Sequence, residues 1–312
     1  MTAEPPAPPA AEPELPRGVA LAWGVSANPQ RGPKRELSIE RIVEAAMEIA
    51  DAEGLGAVSM SRVAQSLGYT TMSLYRYVTA KDDLLTLMQE YGVGLPPEPD
   101  PELADDWRAG IRAIARAQLD RYVEHPWLLD IPIDGTPVTP NNLAWMDATL
   151  HLLAPLPVSE DERIAVTLLI TGQVRWQGIV ERSYATAAAS QGVEPQAIDD
   201  ARDDLLAVLV SAEEFPALRR AVDAGVFRVG EDPFAFGFER LLDGVEGFVR
   251  ARAAGEPVAV APAAEPEPAE VQADKRVREA RKATREAEKR LRDARKLERL
   301  ALRDARAKYR DR

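Results

Sequence analysis

An all-α fold is expected from three observations on this sequence. Apolar residues recur at helical spacing from Ser38 onward, alternating β-type runs are almost absent, and capping signals precede most of the periodic stretches. The pattern divides into a small N-terminal unit of short helices, a larger helical region and a charged helix at the C-terminal end.

Residues 1–30 are dominated by Pro and Ala and read as a disordered or extended segment. Within them residues 21–25 (LAWGV) are an exception, an apolar patch suited to docking on the folded body. Residues 31–35 (RGPKR) form a short basic arm. Ser38 is placed to cap the first helix, with Glu40 in its first turn and Ile42, Ala45, Ala46 and Ile49 at i, i+3, i+4 and i+7. Gly54 is placed to stop it. A second helix starts at Ser59, turns Val63, Ala64 and Leu67 inward, and ends at Gly68. A third, very short one covers about 71–77 with Leu74 inward. Thr79 then caps a fourth, with Asp82 three residues on as in a capping box and Leu84, Leu85, Leu87 and Met88 on its apolar face.

Residues 92–101 (GVGLPPEPDP) cannot continue a helix and turn the chain out of this unit. Further helices are expected at about 102–124, 140–153, 160–188, 195–212 and 233–253. Their starts are marked by Thr139-Pro140, by Ser159 with Glu162, and by Asp232-Pro233. Residues 256–273 are an Ala/Pro/Glu linker, and 274–312 read as one charged, Ala-rich helix. The expected domains are therefore 1–30, 31–90, 100–255, the linker 256–273 and the tail 274–312.

Composition removes several classes of chemistry. The chain of 312 residues has no cysteine and two histidines, His125 and His151, so disulfide scaffolds, thiol catalysis and Cys- or His-rich metal centres are not expected, and neither is a cofactor. No apolar run reaches the length of a membrane span, and the N-terminus lacks a basic start followed by an apolar stretch, so a cytoplasmic location is expected. The net charge of −12 is a sum of unlike parts: residues 82–255 hold 30 acidic against 14 basic side chains, whereas 274–312 hold 17 basic against 8 acidic. Such asymmetry points to a polyanion at the ends of the chain rather than across it.

The spacing of Ala64, Gly68 and Leu74 is the informative motif. A small residue where two helices cross, a glycine for the tight turn and a leucine packing the second helix onto the first describe a helix-turn-helix, whose second helix enters the major groove of double-stranded DNA. Its outward positions are Thr71, Met72, Ser73, Arg76 and Tyr77. Arg can bond a guanine edge in bidentate fashion, and Thr and Met methyls can touch the thymine methyl. Ser59, Tyr75, Tyr77 and Lys81 suit phosphate contacts. The plainer reading is a small bundle whose Gly and Ala serve packing alone.

These residues carry a resemblance. Residues 38–88, above all 59–68 (SMSRVAQSLG), 71–78 (TMSLYRYV) and 81–85 (KDDLL), resemble the DNA-binding domain of TetR-family transcriptional regulators. Residues 100–255 resemble the C-terminal ligand-binding and dimerisation domain of that family through helix order, the start at Trp107 and the segment 229–249. The resemblance implies base-edge contacts from Ser61, Thr71, Met72, Ser73 and Arg76, and Arg62 is a further DNA-binding candidate beside them. It implies backbone contacts from Ser59, Tyr75, Tyr77 and Lys81, and a minor-groove arm carrying Arg31, Lys34 and Arg35. It also implies a homodimeric repressor, released from a pseudo-palindromic operator by a small-molecule effector. The alternative is an all-α ligand carrier or enzyme with an incidental N-terminal bundle, but no nucleophile–base pairing supports catalysis.

For the effector, Gln173, Trp176, Gln177, Val180, Glu181 and Tyr184 share a stripe of the long helix from Glu160, and Trp127, Asn141, Asn142 and Trp145 are placed to face it. Apolar walls with few polar groups suit an aromatic or polyketide-like molecule, although each of these residues read alone is ordinary core. Tetracycline with Mg²⁺ is not expected, because Pro132 stands where the tetracycline-binding members carry a metal-binding His and Glu181 alone makes no site. Dimerisation is expected through Phe234, Phe238, Leu241, Leu242, Val245, Phe248 and Val249, together with the helix at 195–212. The alternative is burial of that face within one chain. The tail reads as a solvated single helix or, by its charge, as an auxiliary phosphate-binding arm.

Overall fold

The computed structural model describes residues 15–25, 37–103, 106–133, 135, 138–226, 232–256 and 267–310. The basic arm with Arg31, Lys34 and Arg35 lies outside the described residues. The structure is helical, with no strand among the described residues, and divides into two compact units, Met1–Val258 and Ala259–Arg312.

The first unit opens with α1, Arg17–Ala22, inside the stretch expected to be disordered. It packs on α5, Lys81–Val93. The Gly18 N–H donates to Asp83 Oδ1 at 3.0 Å, and the Trp23 indole N–H donates to the Val138 carbonyl at 2.8 Å. Tertiary partners thus order a segment whose composition argues against order.

Helix α2, Ile39–Glu53, is capped by the Ser38 hydroxyl, which accepts from the Arg41 N–H. Its inward stripe, Ile42, Val43, Ala46 and Ala50, is buried. Helices α3, Met60–Ser66, and α4, Thr71–Leu74, follow, and α4 is shorter than expected, with residues 75–77 already in a turn. The capping box expected at the start of α5 does not form. Ala80 occupies the cap position, and the Thr79 hydroxyl donates instead to Asp83 Oδ2 at 2.8 Å, so that Asp83 joins this turn to α1.

Beyond the turn come α6 (Trp107–Glu124), α7 (Pro140–Leu153), α8 (Glu160–Gln191), α9 (Pro195–Leu209), α10 (Pro216–Asp223) and α11 (Pro233–Ala253). Ser159 and Glu162 form the expected capping box, each side chain bonded to the other's backbone N–H. Helix α10 lies where no helix was expected. The second unit contains α12, Ala269–Ala273, and α13, Lys275–Arg310.

Part of the face of α11 expected to serve dimerisation is buried in its own chain. Phe238, Leu242 and Val245 are buried within their own chain, and Phe234, Leu241, Phe248 and Val249 are half-buried. A clamp from α6 fixes this orientation. Arg108 donates to Glu246 at 2.6 Å, to Asp243 at 2.7 Å and to Glu239 at 3.1 Å, while Arg112 Nε reaches Glu239 at 2.6 Å. One cationic residue bonded to three carboxylates on successive turns sets the rotation of α11, and the apolar stripe then faces the core.

The hydrogen bond from Arg112, reinforced by Arg108, pulls the Glu239 carboxyl down to about 2. A carboxyl depressed only in the folded state adds stability that is complete above the ordinary glutamate range and is lost as pH falls towards 2. Because the groups are partly solvated, the contribution is about 1 kcal/mol or less. Glu239→Gln is expected to lower the melting temperature at pH 7 and to flatten its decline between pH 5 and pH 2. Parallel wild-type and variant curves would show that the clamp contributes nothing.

Candidate DNA-reading helix and effector cavity

The helix-turn-helix is built from a few local rules. Ser59 caps α3, its hydroxyl accepting from the Arg62 N–H at 3.3 Å and lying 3.2 Å from the Ser61 hydroxyl. Gly68 ends the helix at φ 76°, a conformation that costs a glycine little, and the Tyr69 N–H closes the turn on the Ala64 carbonyl at 2.8 Å. Val63, Ala64 and Leu74 are buried at the crossing, which locks the rotation of α4.

That rotation decides which side chains of α4 face outward. Met72 is 73% exposed, Tyr75 and Arg76 are exposed, and Thr71 and Ser73 are half-buried, Ser73 with its hydroxyl 3.0 Å from that of Thr70. Lys81 is exposed at the start of α5. Ser61 and Arg62 are exposed on α3, and Arg62 pairs with Glu53 at the end of α2. Tyr77 departs from the expectation: at 7% exposure it belongs to the core. The chain leaves α4 after Leu74, and the following turn carries Tyr77 and Val78 inward together.

The far end of α5 is held from three sides. Arg121 on α6 donates to the Gly92 carbonyl through Nε at 2.9 Å and Nη2 at 2.7 Å. The Trp145 indole N–H on α7 donates to the carbonyls of Gly94 at 3.0 Å and Val93 at 3.2 Å. Glu90 Oε1 accepts from the Asn141 N–H at 2.8 Å, and the Asn141 side-chain amide donates to the Glu90 carbonyl at 2.9 Å. A cation thus sits at the C-terminus of α5 and a carboxylate at the N-terminus of α7, the arrangement that both helix dipoles favour. A Cβ at Gly92 would stand 2.8 Å from Trp127 Cη2 and 3.0 Å from Leu128 Cδ2, so α5 approaches that turn only through glycine.

Arg121 and Trp145 also line a partly open cavity of about 130 Å³ among α6, α7 and α8, together with Gln118, Tyr122, Asn142, Thr149, Thr167 and Thr171. Burial pushes the Tyr122 phenol up, partly offset by Arg175. A wider groove of about 1060 Å³ lies beside α2, α6 and α8, lined by Asp51, Trp127, Gly178, Glu181, Arg182 and Arg202 among others.

The residues expected around one effector site are therefore spread over several places. Trp145 and Asn142 reach the cavity; Trp127 and Glu181 border the groove, the latter bonded by Gln177 at 2.8 Å. Asn141 belongs to the α5–α7 junction. Tyr184 carries the Arg202 guanidinium 4.5 Å above its ring, Gln173 faces Gly237 on α11, and Trp176 is 57% exposed on the outer side of α8. The reason is the burial of Val166, Ile170, Val174 and Gly178 at four-residue spacing, which turns the Gln173–Tyr184 stripe away from the cavity.

Three important groups were not recognised from sequence: Arg121, Glu90 and Asp51. Glu90 had a signal, a carboxylate on the inward side of an apolar helix. Asp51 had none, because its partners are distant in the chain: Oδ1 accepts from the Trp127 indole N–H at 2.6 Å and lies 2.9 Å from His125 Nδ1. This pairing ties α2 to the turn Pro126–Asp130. Asp51→Ala leaves a buried indole N–H and a buried imidazole without their acceptor, and is expected to cost about 1–3 kcal/mol. Asp51→Asn, which keeps an acceptor, is expected to cost less. Thermal denaturation of both decides it, and an alanine variant as stable as wild type would remove Asp51 from the account.

Comparison with known proteins agrees with both halves of this geometry. Residues 42–88 match the family model for bacterial regulatory proteins of the tetR family, and residues 98–249 match that for the tetracyclin repressor-like C-terminal domain. The chain is 35% identical over 240 residues to the HTH-type transcriptional repressor DrrR1 of Streptomyces coeruleorubidus, covering 77% of this chain and 88% of that one. The structure of apo ActR from Streptomyces coelicolor superimposes with a TM-score of 0.57 at 26% identity, covering 72% of this chain and all of ActR (100%). ActR in complex with actinorhodin gives 0.57 at 27% identity, over 70% of this chain and 99% of that one. With a helix-turn-helix at one end, a helical body behind it and a repressor matched across most of both chains, this chain belongs to the TetR family of bacterial transcriptional regulators.

Proposed function

We propose that the chain is a homodimeric, effector-released transcriptional repressor, with residues 37–93 reading the operator and residues 106–256 binding effector and partner. The observation that carries this reading is α4 with the turn that follows it: Met72 projects from a short helix whose rotation Leu74 and Ala64 lock, and Arg76 projects from the turn directly after it. Arg76 supplies a bidentate donor for guanine, Met72 and Thr71 supply methyl contacts, and Tyr75, Ser59 and Lys81 contact phosphates. Tyr77 serves by supporting α4 from the core.

The effector enters the cavity of α6, α7 and α8. At about 130 Å³ it is smaller than the few hundred Å³ that a drug-sized ligand needs, so occupancy displaces its wall. That wall contains Arg121 and Trp145, the two anchors of the α5 carbonyls, and their movement frees α5 and with it the spacing of the two reading helices. The likeness to ActR, which has been seen with actinorhodin, supports an aromatic polyketide-type effector. The partner is met through the outer stripe of α8, Ile164, Leu168, Gly172 and Trp176, and through Phe236 of α11, all exposed in the single chain.

Fluorescence anisotropy on DNA from upstream of the chain's own gene, against scrambled competitor, tests the reading. Arg76→Ala is expected to lower specific affinity at least tenfold while leaving fold and dimer intact, since a bidentate base contact contributes about 1–3 kcal/mol. Binding that ignores both competitor and Arg76 would sink it. Trp176→Glu is expected to give a monomer by light scattering and to lose operator binding. A dimer that persists would place the interface elsewhere.

A further inference from the structure

Helix α13 is sorted by charge into three lengthwise strips. At 100° per residue, eight cations between Arg278 and Lys296 fall within an arc of about 140°, which contains a single acidic residue of that segment, Glu288. Glu279, Glu286 and Asp293 occupy an adjoining strip, and Ala280, Ala283, Ala287, Leu291 and Ala294 a third. Arg278, Arg285, Lys289, Arg292, Arg295 and Lys296 are all exposed and have no ion-pair partner among the described residues.

We propose that this basic strip is a second nucleic-acid contact, which lies along the phosphate backbone of duplex DNA without reading its sequence. The charge spacing fits such a partner. Eighteen helical steps from Arg278 to Lys296 span about 27 Å, a mean of about 3.9 Å between successive cations, near the roughly 3.4 Å axial spacing of phosphates along one DNA strand. A membrane surface fits poorly, because the apolar strip is made mostly of alanine, with Leu291 and Leu302 on it, while Leu297 and Leu300 lie on other sides of the helix, so no face gathers the bulky apolar groups that insertion needs. Residues 82–255 carry 30 acidic against 14 basic side chains and repel a polyanion, which gives a separate cationic strip a role in raising the local concentration of the chain on DNA. The strip acts independently of α4.

The test uses the full chain and a 25-base-pair duplex of arbitrary sequence, with anisotropy read across a salt series. Replacing the six unpaired strip cations with Gln is expected to weaken binding more than tenfold and to lower the slope of log K against log salt by about 5, roughly 0.9 per lost phosphate contact. Two triple variants with the same net charge separate strip from bulk charge: Arg285, Lys289 and Arg292 to Gln lowers the slope by about 3, whereas Lys275, Arg276 and Arg290 to Gln leaves it unchanged. Circular dichroism confirms that helix content is kept. An unchanged slope in the sixfold variant, equal losses from the two triples, or binding to phosphatidylserine vesicles without binding to the duplex would each overturn the proposal. Arg76→Ala leaves this slope intact, so loss of operator discrimination alone counts against α4 and not against the strip.

Discussion

The last turn of α5 is the constraint on which the first unit depends. Helix C-termini leave carbonyls without intrahelical donors, and here Gly92, Val93 and Gly94 have theirs bonded by Arg121 and Trp145 from two different helices. The same turn lies against Trp127 and Leu128 through Gly92, and one residue pair away Glu90 satisfies the first available N–H of α7, where Pro140 has none to offer. The opposite end of α5 carries Asp83, which holds α1 and the Thr79 turn. One helix therefore connects the motif that faces DNA with the helices around the cavity. Its anchors at the cavity end are two side chains that also line that cavity.

The body behind α5 is organised by charge as much as by apolar burial. Arg108 and Arg112 fix α11 through Glu239, Asp243 and Glu246, and Arg182 ties α8 to the turn after α6 through Asp130 and the Pro126 carbonyl. Each links elements far apart in the chain, and each involves arginine, whose planar fork serves several acceptors at once. Partly solvated pairs of this kind add little stability singly, but they decide rotation, and rotation decides which face of α8 and α11 remains outside. The outer side left open is the apolar stripe from Ile164 to Trp176.

Charge is also partitioned along the chain. The helical body is acidic, the turn after α4 presents one exposed arginine among neutral groups, and α13 concentrates its cations on one side. Under the proposed function, specific reading and backbone attraction fall to different elements, one short and rotationally locked, the other long and exposed.

The sequence by itself determined what depends on neighbours along the chain. Helical periodicity, the Ser38, Ser59 and Ser159–Glu162 caps, the Gly68 turn and the Ala64–Leu74 crossing are all local patterns, and with them came the helix-turn-helix and the exposed Met72, Tyr75 and Arg76. Tertiary structure alone decided everything that depends on the rotation of one helix against another. Phe238, Leu242 and Val245 read equally well as a partner's face or as a chain's own core until Arg108 meets three carboxylates more than 130 residues away. The Gln173–Tyr184 stripe has a pocket's composition, yet the four-residue spacing of Val166, Ile170, Val174 and Gly178 turns it outward. Tyr77 went inward because α4 ends a turn early, and Asp51, Glu90 and Arg121 gained their roles from partners that no spacing announces. Periodicity specifies that a helix has an inside, whereas long-range contacts specify where that inside points.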